Sequence, residues 1–222
     1  MSERWRGQRR RRQIIEAAAS LFAQKGFRGT TTREIAEVVG VSEAALFKYF
    51  ATKEKLYTAI IDSKAKTEEV VSAAGVAAQR WDDRGVFEAV ALTLMERTTQ
   101  DTTLMRLLLF SALEGHELST IFFEIRVRKL HQFLSRYVEE RISQGVFREV
   151  DPLLAARSFV GMVIHYLLIH ELFGVKRSSG HSTKKAVETF VNLFLGGISK
   201  APPVGRDGGR RNRVSPSSRR RT

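Results

Sequence analysis

Thr31, Thr32, Arg33, Ser42, Glu43, Ala44, Ala45, Lys48, Tyr49, Lys53 and Lys55 fall within one short stretch of a 222-residue chain. Their types suit contact with the surface of a nucleic acid rather than covalent chemistry. Hydroxyl, ammonium and guanidinium groups bond phosphate oxygens, which position a protein without specifying a sequence. Small side chains such as Ala44 and Ala45 permit close approach to base edges and can touch a thymine methyl. Glu43 has two readings: it accepts from a cytosine amino group, or it sits at a helix N-terminus where negative charge is favoured. Thr31 is similarly divided between a phosphate contact and helix capping.

These residues act together only if two short helices hold them. The run TTREIAEVVGVSEAALFKYF, residues 31–50, predicts that pair. Thr31 and Glu34 have the spacing of a capping box, and Ile35, Ala36 and Val39 form an apolar face. Ala36 is small enough to let the next helix approach. Gly40 supplies a turn position where a side chain would be strained. Ser42 is the expected N-cap of a second helix running to about Tyr49, with Leu46 returning to the core. This is the layout of a helix-turn-helix, whose second helix enters the major groove with its N-terminal residues nearest the bases. Phe47 and Phe50 carry no polar atom and are expected to pack on the first helix. Upstream, Ile14, Ile15, Ala18, Leu21 and Phe22 predict a helix from Arg12 to a stop at Gly26. Downstream, Thr52 or Lys53 opens a longer helix through Leu56, Ile60 and Ile61; the alanine- and charge-rich segment 64–79 leaves its end undefined.

The rest of the chain also reads as all-α. Candidate helices span Arg84–Thr99, Thr102–Leu113, Leu118–Ser143, Pro152–Phe173 and Thr183–Ser199, and no segment shows sustained strand-like alternation. Between Ser158 and Phe173 nearly every position is apolar, and a helix apolar all round must be covered on all sides. A second subunit is the expected cover, touching Phe159, Val163, Tyr166 and Leu167, with Val187, Phe190, Val191, Phe194 and Ile198 from the last helix. The middle helices carry Phe87, Met95, Met105, Leu108, Leu109, Phe122, Phe123 and Phe133. These form either plain core or an adaptable pocket for a small hydrophobic effector. Arg126 meets an anionic ligand there, pairs with Glu114 or Glu117, or extends to water. His165 is placed to reach the ligand or the partner subunit.

Composition narrows the chemistry. The absence of cysteine excludes disulfides and thiolate sites and fits a cytoplasmic setting. His165 and His170 are five residues apart, about 140° around a helix, and do not converge. The sequence has no metal-binding pair, phosphate loop, dinucleotide fingerprint or serine elbow, so neither enzyme, cofactor nor metal is expected. Phe159–Ile169, the most apolar stretch, is interrupted by His165 and reads as too short to span a bilayer. The net charge of +13 is concentrated at the ends. About +5 lies in residues 1–13 and about +6 in residues 201–222. Cationic ends attract polyanions with little sequence preference. A largely non-specific nucleic-acid binder is therefore the rival to a site-specific one. The Pro-, Gly- and Ser-containing segment 201–222 is expected to be a disordered Arg-rich tail.

TTREIAEVVGVSEAALFKYFATKEKLY, preceded by IIEAAASLFAQKGF, resembles the N-terminal domain of the tetracycline-repressor (TetR) family of bacterial transcription regulators. The resemblance covers roughly residues 9–60. The arginines make a basic arm of residues 1–12, and the resemblance implies a three-helix DNA-binding domain at 9–66 and an effector-binding and dimerisation domain at 67–200. It further implies a homodimer joined by a four-helix interface, an approximately palindromic double-stranded DNA operator, and release by a small ligand. Repressor and activator share this architecture. Many members have glycine where this chain has Ala44, and tyrosine where it has Phe47. That tyrosine often contacts a phosphate, so the resemblance shifts weight here onto Lys48, Tyr49 and the basic arm.

Overall fold

A computed structural model of the chain describes residues 3–65, 67–115, 120, 123, 127–176 and 182–200. Helices α1 (Glu3–Lys25), α2 (Thr32–Val39), α3 (Glu43–Tyr49) and α4 (Lys53–Ala65) form the N-terminal part. They are followed by α5 (Thr67–Ala78), α6 (Asp83–Gln100), α7 (Thr103–Leu113), α8 (Arg128–Ser143), α9 (Pro152–Leu167) and α10 (Thr183–Ile198). A π-helical turn, Leu168–Leu172, extends α9. The all-α reading holds, with no strand among the described residues and one isolated bridge between Phe147 and Ser199. The expected helix over 118–143 is regular from Arg128 onward. The tail 201–222, His116, Glu117, Phe122, Arg126 and His181 lie outside the described residues.

The basic arm corrects one expectation. Helix α1 begins at Glu3, so Arg4, Arg6 and Arg9–Arg12 ride on a helical extension. Two of them reach beyond α1. Arg10 donates to the Val39 carbonyl at the end of α2 (3.3 Å), and the Arg11 guanidinium lies 4.9 Å from the Phe50 ring centre. The arm therefore braces the ends of α2 and α3 as well as carrying charge.

Two apolar cores organise the chain. Ile14, Ala18, Phe22, Ile35, Leu46, Leu56 and Ile60 build the N-terminal one. Phe22, Phe27 and Tyr57 form its ring cluster, with centroids 5.3–5.6 Å apart. Leu107 of α7 is buried in this same core, and the Tyr57 hydroxyl donates to its carbonyl at 2.8 Å. Helix α7 is thus seated on the N-terminal helices although it lies far along the chain.

The second core is centred on Phe87, Phe159 and Phe194, whose centroids are 4.7–5.1 Å apart. Trp81, at φ 55°, reverses the chain between α5 and α6. The following Asp83 accepts from Arg141 Nε and Nη2 and from the Tyr137 hydroxyl, each at 2.7 Å, fastening α6 to α8. Phe159, Val163, Leu167, Val187, Val191, Phe194 and Ile198, expected at the dimer contact, are buried in this core within one chain. The reason is amphipathic: α9 spends one apolar face on α6 and α8, and α10 spends one on α6 and α9. Tyr166 and Phe190 are half-buried and meet edge-to-face at 5.7 Å. The span Pro152–Leu172 is longer than the apolar stretch suggested. Its 21 residues are enough by length and composition to cross a bilayer, but one face belongs to this core.

Candidate nucleic-acid interface

The start of α2 is closed by its own side chains. Thr31 Oγ1 accepts from the Glu34 amide (3.1 Å), while the Glu34 carboxylate accepts from the Thr31 amide (2.9 Å), completing the capping box. Lys25 donates to the same carboxylate at 2.8 Å. That bond, followed by those from Thr31, holds Glu34 down to about 2, far below an ordinary carboxyl. Thr31 is therefore occupied by capping. Gly40 ends α2 at φ 73°, and its amide and the Val41 amide donate back to Glu37 and Ala36 (3.1 and 3.0 Å). Among ordinary residues only glycine takes this left-handed position at little cost, so the tight turn between helices depends on it. Buried Ala36 and Leu46 bring α2 and α3 together.

Helix α3 opens on Ser42, whose Oγ accepts from the Ala45 amide at 3.1 Å. Glu43 is bonded by the Thr32 hydroxyl, which ties the first turn of α3 to the first turn of α2. Both residues are thereby committed to geometry, which favours the helix-terminus reading of Glu43 over base readout. The outward surface of α3 is made by Ala44, Phe47, Lys48 and Tyr49, all exposed. Phe50 packs inside as expected, whereas Phe47 does not. It is 41% exposed, on the same side as Ala44 and Lys48 one turn apart. A large apolar ring held outward beside a small residue and a cation suits contact with thymine methyls and sugars, with the cation on phosphate.

The remaining basic residues divide. Arg33 and Lys55 are exposed, Arg33 in an i,i+4 pair with Glu37 (3.1 Å). Lys53 turns inward, its ammonium 4.3 Å from the Phe27 ring centre and 5.8 Å from that of Phe22. Burial pushes its pKa down. It is a clamp on the aromatic cluster, because the rings at the start of α4 offer the cation a partner that solvent-facing Lys55 lacks. Arg10 and Arg11 were missed as structural residues. The signal available was their position about one turn before Ile14, on a continuing helix.

The effector side differs from expectation in detail. Between α5 and α8 lies an open groove of about 840 Å³, with Val71, Ala78, Trp81, Phe133, Arg136 and Tyr137 among its walls. Among the described residues, Phe133 is the one expected pocket residue that lines it. Phe87 and Met95 are fully buried in the second core, and Met105 packs on its edge. Leu109 and Phe123 are exposed, as is His165, which faces outward from α9. Periodicity identifies apolar positions but cannot say which side of a helix faces a void. Among the described residues, no group of three or more histidines, aspartates or glutamates is arranged to hold a metal.

A second apolar surface covers the outer faces of α9 and α10. Leu154 and Leu193 are 59% and 65% exposed, and Ile164 is 39% exposed. Gly161, Gly196 and Gly197 lie on these helices with open space where a Cβ would stand. Small residues between exposed leucines let another helix pair approach closely. The pattern was present in the sequence, but the more apolar inner stripe drew the assignment.

Residues 14–60 match the family described as bacterial regulatory proteins, tetR family, and residues 86–197 match the AefR-like transcriptional repressor C-terminal domain. The HTH-type transcriptional repressor KstR2 of Mycobacterium tuberculosis is 25% identical over 208 residues, covering 86% of this chain and 94% of that protein. The structure of AibR in complex with isovaleryl coenzyme A and operator DNA superposes with a TM-score of 0.64 at 27% identity, covering 83% of this chain and 97% of that one. The ketosteroid transcriptional regulator KstR2 of Mycobacterium tuberculosis shares the fold, with a TM-score of 0.59 at 20% identity over 86% of this chain and 96% of its own.

Proposed function

Because this chain belongs to the TetR family of bacterial regulatory proteins and is a DNA-binding regulator, we propose that it is a cytoplasmic repressor that binds a palindromic operator as a homodimer and is released by a small, largely apolar ligand. The observation that carries the DNA-binding part is α3 itself. Its inner residues and caps are fully committed, and its outer surface of Ala44, Phe47, Lys48 and Tyr49 is left to the solvent. Arg33 and Lys55, with the arginines of α1, flank that surface and supply phosphate contacts; Thr31, Thr32, Ser42 and Glu43 hold its geometry.

The outer face of α9 and α10 supports dimerisation. Leu154, Ile164 and Leu193, separated by glycines, form a self-complementary surface of the kind that a two-fold interface uses. Two recognition helices must stand about 34–36 Å apart to read successive major grooves, so the subunit arrangement decides operator affinity. A ligand that prefers an arrangement with the wrong spacing lowers that affinity by its differential binding free energy.

The groove between α5 and α8 is the candidate ligand site. Its walls of Trp81, Phe133 and Val71 favour an apolar body, while Arg136 and Lys129 sit among Glu68 and Glu140. Since AibR is recorded with isovaleryl coenzyme A, acyl-coenzyme A thioesters form a sensible first panel. Sequencing the fragments that the full chain retains from random duplex DNA tests the proposal. An enriched inverted repeat bound by two chains supports it, and recovery of unenriched DNA refutes it. A panel member that raises the melting temperature must also weaken operator binding. A compound that stabilises the protein and leaves operator affinity unchanged is not the effector.

A further inference from the structure

The turn between α1 and α2 is held from across the molecule. The Glu114 carboxylate, at the C-terminal end of α7, accepts from the Phe27 amide (3.2 Å) and from the Arg28 amide (3.2 and 3.4 Å). A carboxylate at a helix C-terminus faces the negative end of the helix dipole, an unfavourable position that needs compensation. The compensation is here. Successive amides that follow a left-handed residue form a small anion-binding concavity. Gly26, at φ 75°, is that residue.

Gly26 meets two requirements at once. Its conformation disfavours a side chain, and a Cβ would stand 2.3 Å from a Glu114 carboxylate oxygen. The turn in turn leads directly into the DNA-reading helices. The buried Thr30 hydroxyl donates to the Gly26 carbonyl at 2.9 Å. Phe27 stacks on Phe22 and meets Tyr57 edge-on. Thr31 then opens the α2 capping box. At the other end of the contact, α7 is seated in the N-terminal core through Leu107. The carboxylate therefore connects the last turn of α7 to the residue pair that sets where α2 begins.

We propose that Glu114 is a positioning residue for DNA recognition: by holding the Phe27 and Arg28 amides it fixes α2 and α3 relative to α7, so that operator binding and the state of α7 are linked. The inference rests on the reading of the chain as a DNA-binding regulator. It assigns to α7, which packs on α1 and α4, a part in DNA recognition. Linkage is reciprocal: if α7 biases operator binding, operator binding must bias α7.

The test uses the full chain, the Glu114→Gln variant and, as an independent disruption, Gly26→Ala. Glu114→Gln keeps the side-chain size and removes the charge. Hydrogen exchange is followed at residues 26–30 and across α7, with and without the enriched duplex, alongside affinities for that duplex and a scrambled one. In Glu114→Gln, exchange at Phe27 and Arg28 is expected to rise about tenfold or more, with Ile14–Phe22 unchanged. The affinity ratio between enriched and scrambled duplex is expected to fall about tenfold. Operator-induced protection of α7, present in the parent chain, is expected to shrink. Gly26→Ala should reproduce the exchange and ratio changes if it folds.

Unchanged exchange at residues 27 and 28 in Glu114→Gln overturns the proposal. So does faster exchange with an unchanged affinity ratio and unchanged α7 protection, which leaves Glu114 as a local brace only. A parent chain that does not distinguish the two duplexes refutes the underlying DNA-binding reading instead, while the DNA-free exchange data still decide whether the carboxylate holds the turn.

Discussion

Truncating Leu193 distinguishes the two faces of the last helix. Leu193 is 65% exposed on a single chain, so about two thirds of its surface remains to be covered by a partner. Full burial of a leucine side chain is worth about 1.5–3 kcal/mol, which gives roughly 1–2 kcal/mol for the part left exposed. A two-fold interface uses the residue twice. Leu193→Ala is therefore expected to weaken dimerisation by about 2–4 kcal/mol, or roughly 30- to 1,000-fold in the dissociation constant. Sedimentation equilibrium from nanomolar to micromolar chain concentration measures it. The contrasting variant is Val191→Ala, at a position fully buried within one chain. It should lower the melting temperature by opening a cavity and move the dimer constant less. A Leu193→Ala dimer constant within threefold of the parent refutes the reasoning. So does a Val191→Ala variant that dissociates more readily than Leu193→Ala.

Three further outcomes follow from the same structure. Phe47→Ala removes the exposed ring of α3 and should weaken the preferred duplex by about 1–3 kcal/mol while leaving scrambled DNA nearly unaffected, as read by fluorescence anisotropy. Tyr137→Phe removes the hydroxyl bonded to the Asp83 carboxylate and should cost about 1.5–3 kcal/mol of stability in urea denaturation. Buried His131 has its pKa lowered by burial and, secondarily, by the charge of Arg157. The folded state therefore takes up a proton less readily than the unfolded one. The resulting stability is fully present above the ordinary histidine value of about 6.5 and is lost as pH falls from there toward the lower folded value. His131→Leu should consequently lose less melting temperature than the parent between pH 7 and pH 5; a parallel decline in both proteins contradicts this.

Much of the DNA-reading module was legible because local chemistry sets it. Thr31 and Glu34, Gly40, Ser42 and Leu46 each take the position that capping, turn conformation and apolar spacing assign them. The departures depend on long-range contacts. Phe47 was placed inward on hydrophobicity alone, but Leu46 holds the buried side of α3, and Phe50, the residue that caps the helix, takes the inner site. Lys53 was placed on phosphate, yet the Phe22 and Phe27 rings that draw it inward belong to α1 and to the turn that follows it. On α9 the sequence shows apolar residues on nearly all sides without showing which face the same chain covers. The effector groove was the least legible, because a void is defined by what several helices fail to fill. Glu114 carried no motif at all, and its role is visible only in the amides of a turn 86 and 87 residues away.

The reading of α3 as the element that distinguishes DNA sequences is tested most directly by one anisotropy titration at physiological salt. The full chain is titrated against the enriched inverted repeat and against the same bases scrambled. The expected result is an affinity difference of roughly a thousandfold or more, saturating at two or more chains per repeat. Equal affinities with the same steep salt dependence would mean that the arginine-rich ends, and not α3, bind the DNA, and would contradict it.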